Sequence, residues 1–213
     1  MLRFESARFV ISVAELAELN RAPLAMVSEI AFVGRSNAGK STVINVLTGQ
    51  RQLAHASKTP GRTQLLNFFE LAERTPSGEP TIHAYLVDLP GYGFAKVHEE
   101  KRVRWDQLVG GYLATRRLLA GVVLVTDARR PLATADEQLL AWLTAREDAA
   151  QLRVHILLNK ADQIGRAERA RVLAQTEHRA DALPMLVSVQ LFSALKREGL
   201  EELRETLSHV VQG

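Results

Sequence analysis

The run Gly34-Arg35-Ser36-Asn37-Ala38-Gly39-Lys40-Ser41 carries the spacing Gly-x4-Gly-Lys-Ser. Glycines let a backbone turn tightly with successive N–H groups pointing inward, an arrangement that cradles phosphate. Lys40 supplies a point charge for β- and γ-phosphates, and the Ser41 hydroxyl is a hard oxygen donor suited to Mg2+. The run follows an apolar segment at 28–33 that reads as a buried strand, and leads into a helical pattern at 42–47. That strand–loop–helix context is what a phosphate-binding loop (P-loop) requires, and the helix N-terminus adds positive potential.

Three further elements follow in an order that suits a guanine-nucleotide switch. Asp88-Leu89-Pro90-Gly91 closes a predicted strand, where Asp88 can hold Mg2+ through a water and the Gly91 amide can meet the γ-phosphate. Asn159-Lys160-Ala161-Asp162 follows the apolar run 153–158. The Asp162 carboxylate can accept from the guanine ring N1–H and exocyclic amine together; adenine lacks that donor pair and would leave the carboxylate unpaired. Lys160 can lay its aliphatic stem along the base, and Asn159 can tie the base loop to the P-loop. Phe192-Ser193-Ala194, past the last predicted strand, offers a backbone N–H to the guanine oxygen. Between the P-loop and Asp88, Lys58-Thr59-Pro60-Gly61-Arg62-Thr63 is polar and turn-prone. A loop of this kind can close over the γ-phosphate and complete the Mg2+ shell, with Thr63 as the expected ligand and Thr59 as its rival.

These residues need a frame. Short apolar runs at 28–33, 64–71, 81–87, 121–126, 153–158 and 185–189 alternate with amphipathic stretches at 42–47, 99–119, 135–143, 166–178 and 200–211. The alternation predicts an α/β fold: a mostly parallel six-stranded sheet with one antiparallel strand and helices on both faces, that is, a P-loop GTPase fold. Pro76, Ser77, Gly78 and Pro80 mark the turn into the strand at 81–87, which runs antiparallel to the one before it. Residues 1–213 are expected to form one GTPase domain, with 1–27 an extension packed through Phe9, Val10, Ile11 and Leu16. Apolar residues make up 46% and charged residues 24%, a globular balance that excludes disordered and collagen-like classes. The chain has no cysteine, which rules out disulfides and thiolate metal sites and suits the cytoplasm. No apolar run approaches the ~20 residues that span a bilayer, so no membrane is expected as a partner. The net charge of +3 permits a nucleic-acid partner without demanding one.

With these residues in view, the chain resembles the EngB family, a group of bacterial ribosome-biogenesis GTPases related to TrmE, Era, EngA and septins. The resemblance runs through Ala7-Arg8-Phe9-Val10, the P-loop, and Thr59-Pro60-Gly61-Arg62-Thr63-Gln64 with Asn67-Phe68-Phe69. It continues through Asp88-Leu89-Pro90-Gly91-Tyr92-Gly93, Ala95-Lys96-Val97, Trp105 and Tyr112. It implies a Mg2+-dependent GTPase acting late in large-ribosomal-subunit assembly, whose loss is associated with division and septation defects. It also implies nucleotide contacts from Gly61, Arg62, Thr63, Gln64 and Leu65, and catalytic roles for Lys40, Thr63 and Gly91. Asn159 departs from the many members that carry Thr, while matching the commoner residue of GTPases generally.

Many switch GTPases place a Gln after Asp-x-x-Gly to orient the attacking water; here that position is Tyr92. Intrinsic hydrolysis is therefore expected to be slow, on the order of 10⁻⁴ s⁻¹ by analogy with unassisted GTPases. A partner could supply a group in trans, or Asn37, matching the P-loop Asn of TrmE-like relatives, could hold K+; equally, Asn37 could simply shape the loop. Basic residues at Arg51, Lys58 and Arg62, and at Lys96, Lys101, Arg102 and Arg104, flank the loops after the P-loop helix and after Asp88-Leu89-Pro90-Gly91, both expected to move; they are either ribosomal RNA contacts or solvated surface charge. Arg116-Arg117 and Arg129-Arg130 are further pairs. The six histidines lack metal spacing and are expected to be structural or exposed. A monomer is expected, and a GTP-regulated division scaffold is the competing reading.

Overall fold

The computed structural model describes residues 2–54, 65–74, 80–93 and 103–212. Seven strands form one sheet: β1 (Arg8–Val13), β2 (Ser28–Gly34), β3 (Leu66–Arg74), β4 (Pro80–Asp88), β5 (Leu119–Asp127), β6 (Arg153–Asn159) and β7 (Leu186–Leu191). Their order is β1-β3-β4-β2-β5-β6-β7. β3 runs antiparallel to both neighbours, β1 and β4, and the other adjacent pairs are parallel. The α/β GTPase fold and its one reversed strand are as expected; among the described residues the strands number seven rather than six.

The additional strand comes from the extension. β1 pairs with β3 from Arg8↔Glu70 to Val13↔Leu66, with a bulge between Phe9 and Ile11. The bulge shifts which side chains face inward. Phe4 and Ala7 are buried and Val10, Ile11 and Leu16 pack against the core, whereas Phe9 stays 56% exposed, with its ring edge-on to Phe69. The expected packing through Phe9 is thus replaced by packing through Phe4.

Successive side chains of a strand face opposite sides of the sheet. On one side Ile30, Phe32, Val123, Val125 and Leu157 meet Val43, Ile44 and Leu47 of α2 (Lys40–Thr48) and Leu203, Leu207 and Val210 of the last helix, α6 (Leu200–Gln212). The other side carries Ala31, Val33, Val122, Leu124 and Ile156. These meet α3 (residues 103–115), α4 (Thr134–Thr144) and α5 (Arg166–Ala180), while the short α1 (Leu16–Leu19) lies near the start. Both faces of the central strands are covered, so their runs are apolar without alternation.

The helix expected at 99–119 is described from 103 and ends at Thr115. Its middle, Asp106–Gly110, is a π turn. Arg116 leaves the helix in an extended conformation (ψ 110°) because its guanidinium turns back onto Glu29, a carboxylate with 0% exposure on β2. Leu119 then opens β5.

Candidate nucleotide site at the carboxyl edge of the sheet

Parallel strands deliver their carboxyl ends to one edge, and the loops there carry the predicted motifs. β2 ends at Gly34 and α2 begins at Lys40, so Arg35, Ser36, Asn37, Ala38 and Gly39 form the turn between them. Gly39 has φ +95°, and a Cβ on it would lie 2.4 Å from the Asn159 side-chain nitrogen. Only glycine fits both demands. Ser41 stands half-buried in the first turn of α2. The Lys40 ammonium bonds the Asp88 carboxylate at the end of β4, with both side chains about nine-tenths buried. Two groups widely separated in sequence therefore meet where a phosphate and its counter-ion would be handled. Leu89 donates its N–H to Phe32, which fixes the turn through Pro90 to Gly91 beside Gly34 and Ser36.

The residues expected to contact the base are stitched to this loop. Asn159, buried at the end of β6, donates to the Ala38 carbonyl at 2.8 Å and accepts from the Ala194 N–H at 3.2 Å. Lys160 sits in the left-handed region at φ 65° and donates to the Asn37 carbonyl at 2.6 Å. Ala161 donates to the Phe192 carbonyl at 3.0 Å, and the Ser193 hydroxyl donates to the Asp162 carboxylate at 2.5 Å. The P-loop, the 159–162 loop and the 192–194 loop are thereby one hydrogen-bonded unit.

Asp127 was not among the expected site residues. It ends β5 and accepts from Lys160 at 2.9 Å, and its carboxylate also takes Arg129 at 2.6 and 2.9 Å. The Arg129 hydrogen bonds first, then Lys160, hold this carboxyl well below the usual carboxylate range against the opposing cost of burial. Its signal in the sequence is an acid at the carboxyl end of a buried strand, shared with Asp88. A cleft of about 400 Å³ opens between Arg35–Ala38 and Asp127, Arg129, Arg130 and Lys160. Another pocket, about 530 Å³, lies at the opposite edge; its His155 is already satisfied by Ser188 and Gln190.

A protein-family model described as 50S ribosome-binding GTPase matches residues 29–160. A probable GTP-binding protein EngB from Thiobacillus denitrificans is 48% identical over 92% of this chain and 86% of its own. One from Cupriavidus taiwanensis is 43% identical over 98% and 86%. The chain belongs to the EngB family of GTP-binding proteins. Among solved structures, a probable GTP-binding protein engB aligns with TM-score 0.63 and 24% identity, over 87% of this chain and 99% of that one. An Aquifex aeolicus Era bound to GDP.AlF4- aligns with TM-score 0.62 and 21% identity, over 87% and 57%. Both share the fold.

Within this EngB chain the remaining expectations fall out unevenly. Thr59, Gly61, Arg62, Thr63 and Gln64 lie outside the described residues, as do Lys58, Lys96, Lys101 and Arg102. Leu65 is half-buried just ahead of β3. Tyr92 is buried, its hydroxyl on Asp136 rather than free to orient a water. Two of the basic residues are engaged internally: Arg116 by Glu29 and Arg129 by Asp127. The Arg116 charge is turned onto a carboxylate with 0% exposure, whereas the Arg129 side chain stays 48% exposed, so its surface ion pair does not withdraw it from a phosphate partner. Arg117 and Arg130 are exposed. Among the described residues no His, Asp and Glu cluster could hold a metal by itself, and no helix is long and apolar enough to cross a membrane.

Proposed function

We propose that this EngB GTPase is a Mg2+-dependent switch whose base specificity resides in Asp162 and which assists late assembly of the large ribosomal subunit. The observation that carries the site is the hydrogen-bonded unit of three loops, in which Asn159 holds Ala38 and Ala194 while Asp162 faces Ser193. That unit orients the Asp162 carboxylate for paired guanine donors, with Lys160, Ala161, Phe192, Ser193 and Ala194 around the base. Gly34 to Ser41 would bind the phosphates, with Lys40 on the β- and γ-oxygens.

The donors fit a hard divalent ion: the Ser41 hydroxyl lies in the first turn of α2, and the Asp88 carboxylate is drawn in by Lys40. Ser41 and Thr63 would ligate Mg2+ directly and Asp88 through water. Held by these residues, Mg2+ would supply positive charge that offsets the charge developing on the phosphates. Thr63 would close over the γ-phosphate with Gly61, Arg62, Gln64 and Leu65, opposite the Gly91 amide on the Asp88-Leu89-Pro90-Gly91 turn. With Tyr92 in place of Gln, turnover depends on a partner or on K+ at Asn37.

The matched family's description, 50S ribosome-binding GTPase, supports the ribosomal role. Large-subunit rRNA would be met by Arg51, Lys58, Arg62, Lys96, Lys101, Arg102 and Arg104. The whole chain is taken to work as one monomeric cytoplasmic GTPase domain, needed for normal division and septation. Asp162→Asn tests the base site. The amide exchanges an acceptor for a donor, so GTP affinity should fall at least about a hundredfold while xanthosine triphosphate binding appears. Unchanged GTP affinity would refute the role of Asp162.

A further inference from the structure

The turn after β4 is fastened on two sides, to the P-loop and to two helices. Its backbone side is tied to the P-loop: Ser36 N–H donates to the Tyr92 carbonyl at 2.8 Å, and Tyr92 pairs with Arg35 as an isolated bridge. Its side-chain side is tied to two helices. The Tyr92 hydroxyl donates to the Asp136 carboxylate at 2.5 Å, in the first turn of α4. The same carboxylate accepts the Ala133 N–H at 2.9 Å. The Tyr92 ring meets Trp105 edge-on at 5.4 Å, and the Trp105 indole N–H donates to the Pro90 carbonyl at 2.8 Å. Trp105 in turn stacks on Trp142 of α4 at 5.8 Å. The π turn of α3 follows Trp105 directly, a departure from helical regularity that often marks functional positions.

Asp136 has 0% exposure, and burying a carboxylate there costs stability unless its acceptors are filled. Burial pushes its carboxyl up, opposed first by the Tyr92 hydroxyl and next by the Ala133 N–H. Burial, with the adjacent Asp136 charge, pushes the Tyr92 hydroxyl far above its ordinary value, so it remains a donor. Arg35 also faces both groups. For helix capping alone, the Ala133 contact would suffice; the second contact, to a residue adjoining Gly91, goes beyond that need.

We propose that Asp136 is a positioning residue for GTP recognition: through the Tyr92 hydroxyl it holds the Pro90-Gly91-Tyr92 turn with the Gly91 amide against the P-loop. The stacked Trp105 and Trp142 pass any shift of that turn into α3 and α4. The inference rests on the proposed placement of the γ-phosphate at Gly91. It concerns the γ-phosphate alone, because GDP offers nothing to Gly91.

The experiment compares the affinities of GDP and a non-hydrolysable GTP analogue in the wild type, Tyr92→Phe, Asp136→Ala and the double variant. Tryptophan emission is recorded for each complex. The chain has two tryptophans, and they are the stacked pair, so emission reports this contact without labelling. Tyr92→Phe should weaken the GTP analogue about tenfold, the scale of one charged hydrogen bond, and leave GDP within about twofold. The wild-type emission difference between the two complexes should shrink. Adding Tyr92→Phe to Asp136→Ala should cost nothing further, because the pair is one contact. Equal weakening of both nucleotides, or unchanged discrimination in Tyr92→Phe, would overturn the proposal. If Asp136→Ala fails to fold, Tyr92→Phe decides alone, since it removes a single oxygen. A wild type that binds both nucleotides alike, with unaltered emission, would overturn the γ-phosphate placement itself, and the positioning role with it.

Discussion

Asn37 shows how one residue can serve two ends. It sits at φ 67°, a left-handed conformation that asparagine tolerates better than most residues, and its carbonyl is held by Lys160. Those facts explain an asparagine here through loop shape, and they also leave its exposed side chain available to a cation. Asn37→Gly separates the roles, because glycine adopts the same φ without a side chain. If Asn37 holds K+, hydrolysis by the wild type is faster in K+ than in Na+ and the glycine variant loses that difference. Equal wild-type rates in the two salts would leave only the shaping role. Lys160, also left-handed at φ 65°, looked in sequence like a residue that covers the base. Its ammonium is in addition a strut between Asn37 and Asp127, which no local pattern could reveal.

Among the elements, the central strands and the helices after the P-loop were legible because burial on both faces writes an unbroken apolar run. β1 was not: its bulge breaks the alternation, and its partner β3 lies over fifty residues away in sequence. The end of α3 was misplaced for a related reason. Arg116 and Leu118 continue a helical spacing, yet Arg116 must reach Glu29, buried on β2, while the Tyr112 hydroxyl donates to the same carboxylate at 2.7 Å. Arg116→Met should therefore destabilise the fold by about 3 kcal/mol, since it strands a buried charge. Chemical denaturation measures this; a loss below about 0.5 kcal/mol would contradict the account.

At the β6–β7 edge, His155 is buried between Ser188 and Gln190, and burial lowers its pKa below the ordinary 6.5. A lowered folded-state value means that the unfolded chain binds the proton more tightly. This contribution to stability is thus full above about 6.5 and declines as pH falls below it. The wild-type melting temperature should drop between pH 7 and 5 more steeply than that of His155→Gln. Parallel curves would show that His155 does not govern the acid limb.

For the whole molecule, the sheet brings Gly34, Asp88, Asp127, Asn159 and Leu191 to a common edge, so motifs spread from 34 to 194 gather into one candidate site. Order and spacing made the P-loop, the Asp88 turn and the base loops readable. The pairings of Lys40 with Asp88, Ser193 with Asp162 and Tyr92 with Asp136 arise only when separate strands end side by side. If the protein works as the proposed switch, it should engage the ribosome in one nucleotide state. The most direct test is co-sedimentation of the chain with purified large ribosomal subunits, loaded either with a non-hydrolysable GTP analogue or with GDP. The account predicts binding with the analogue, at least about tenfold weaker binding with GDP, and a steep loss with added salt if rRNA phosphates are contacted. Equal recovery with both nucleotides, or none with either, would contradict it.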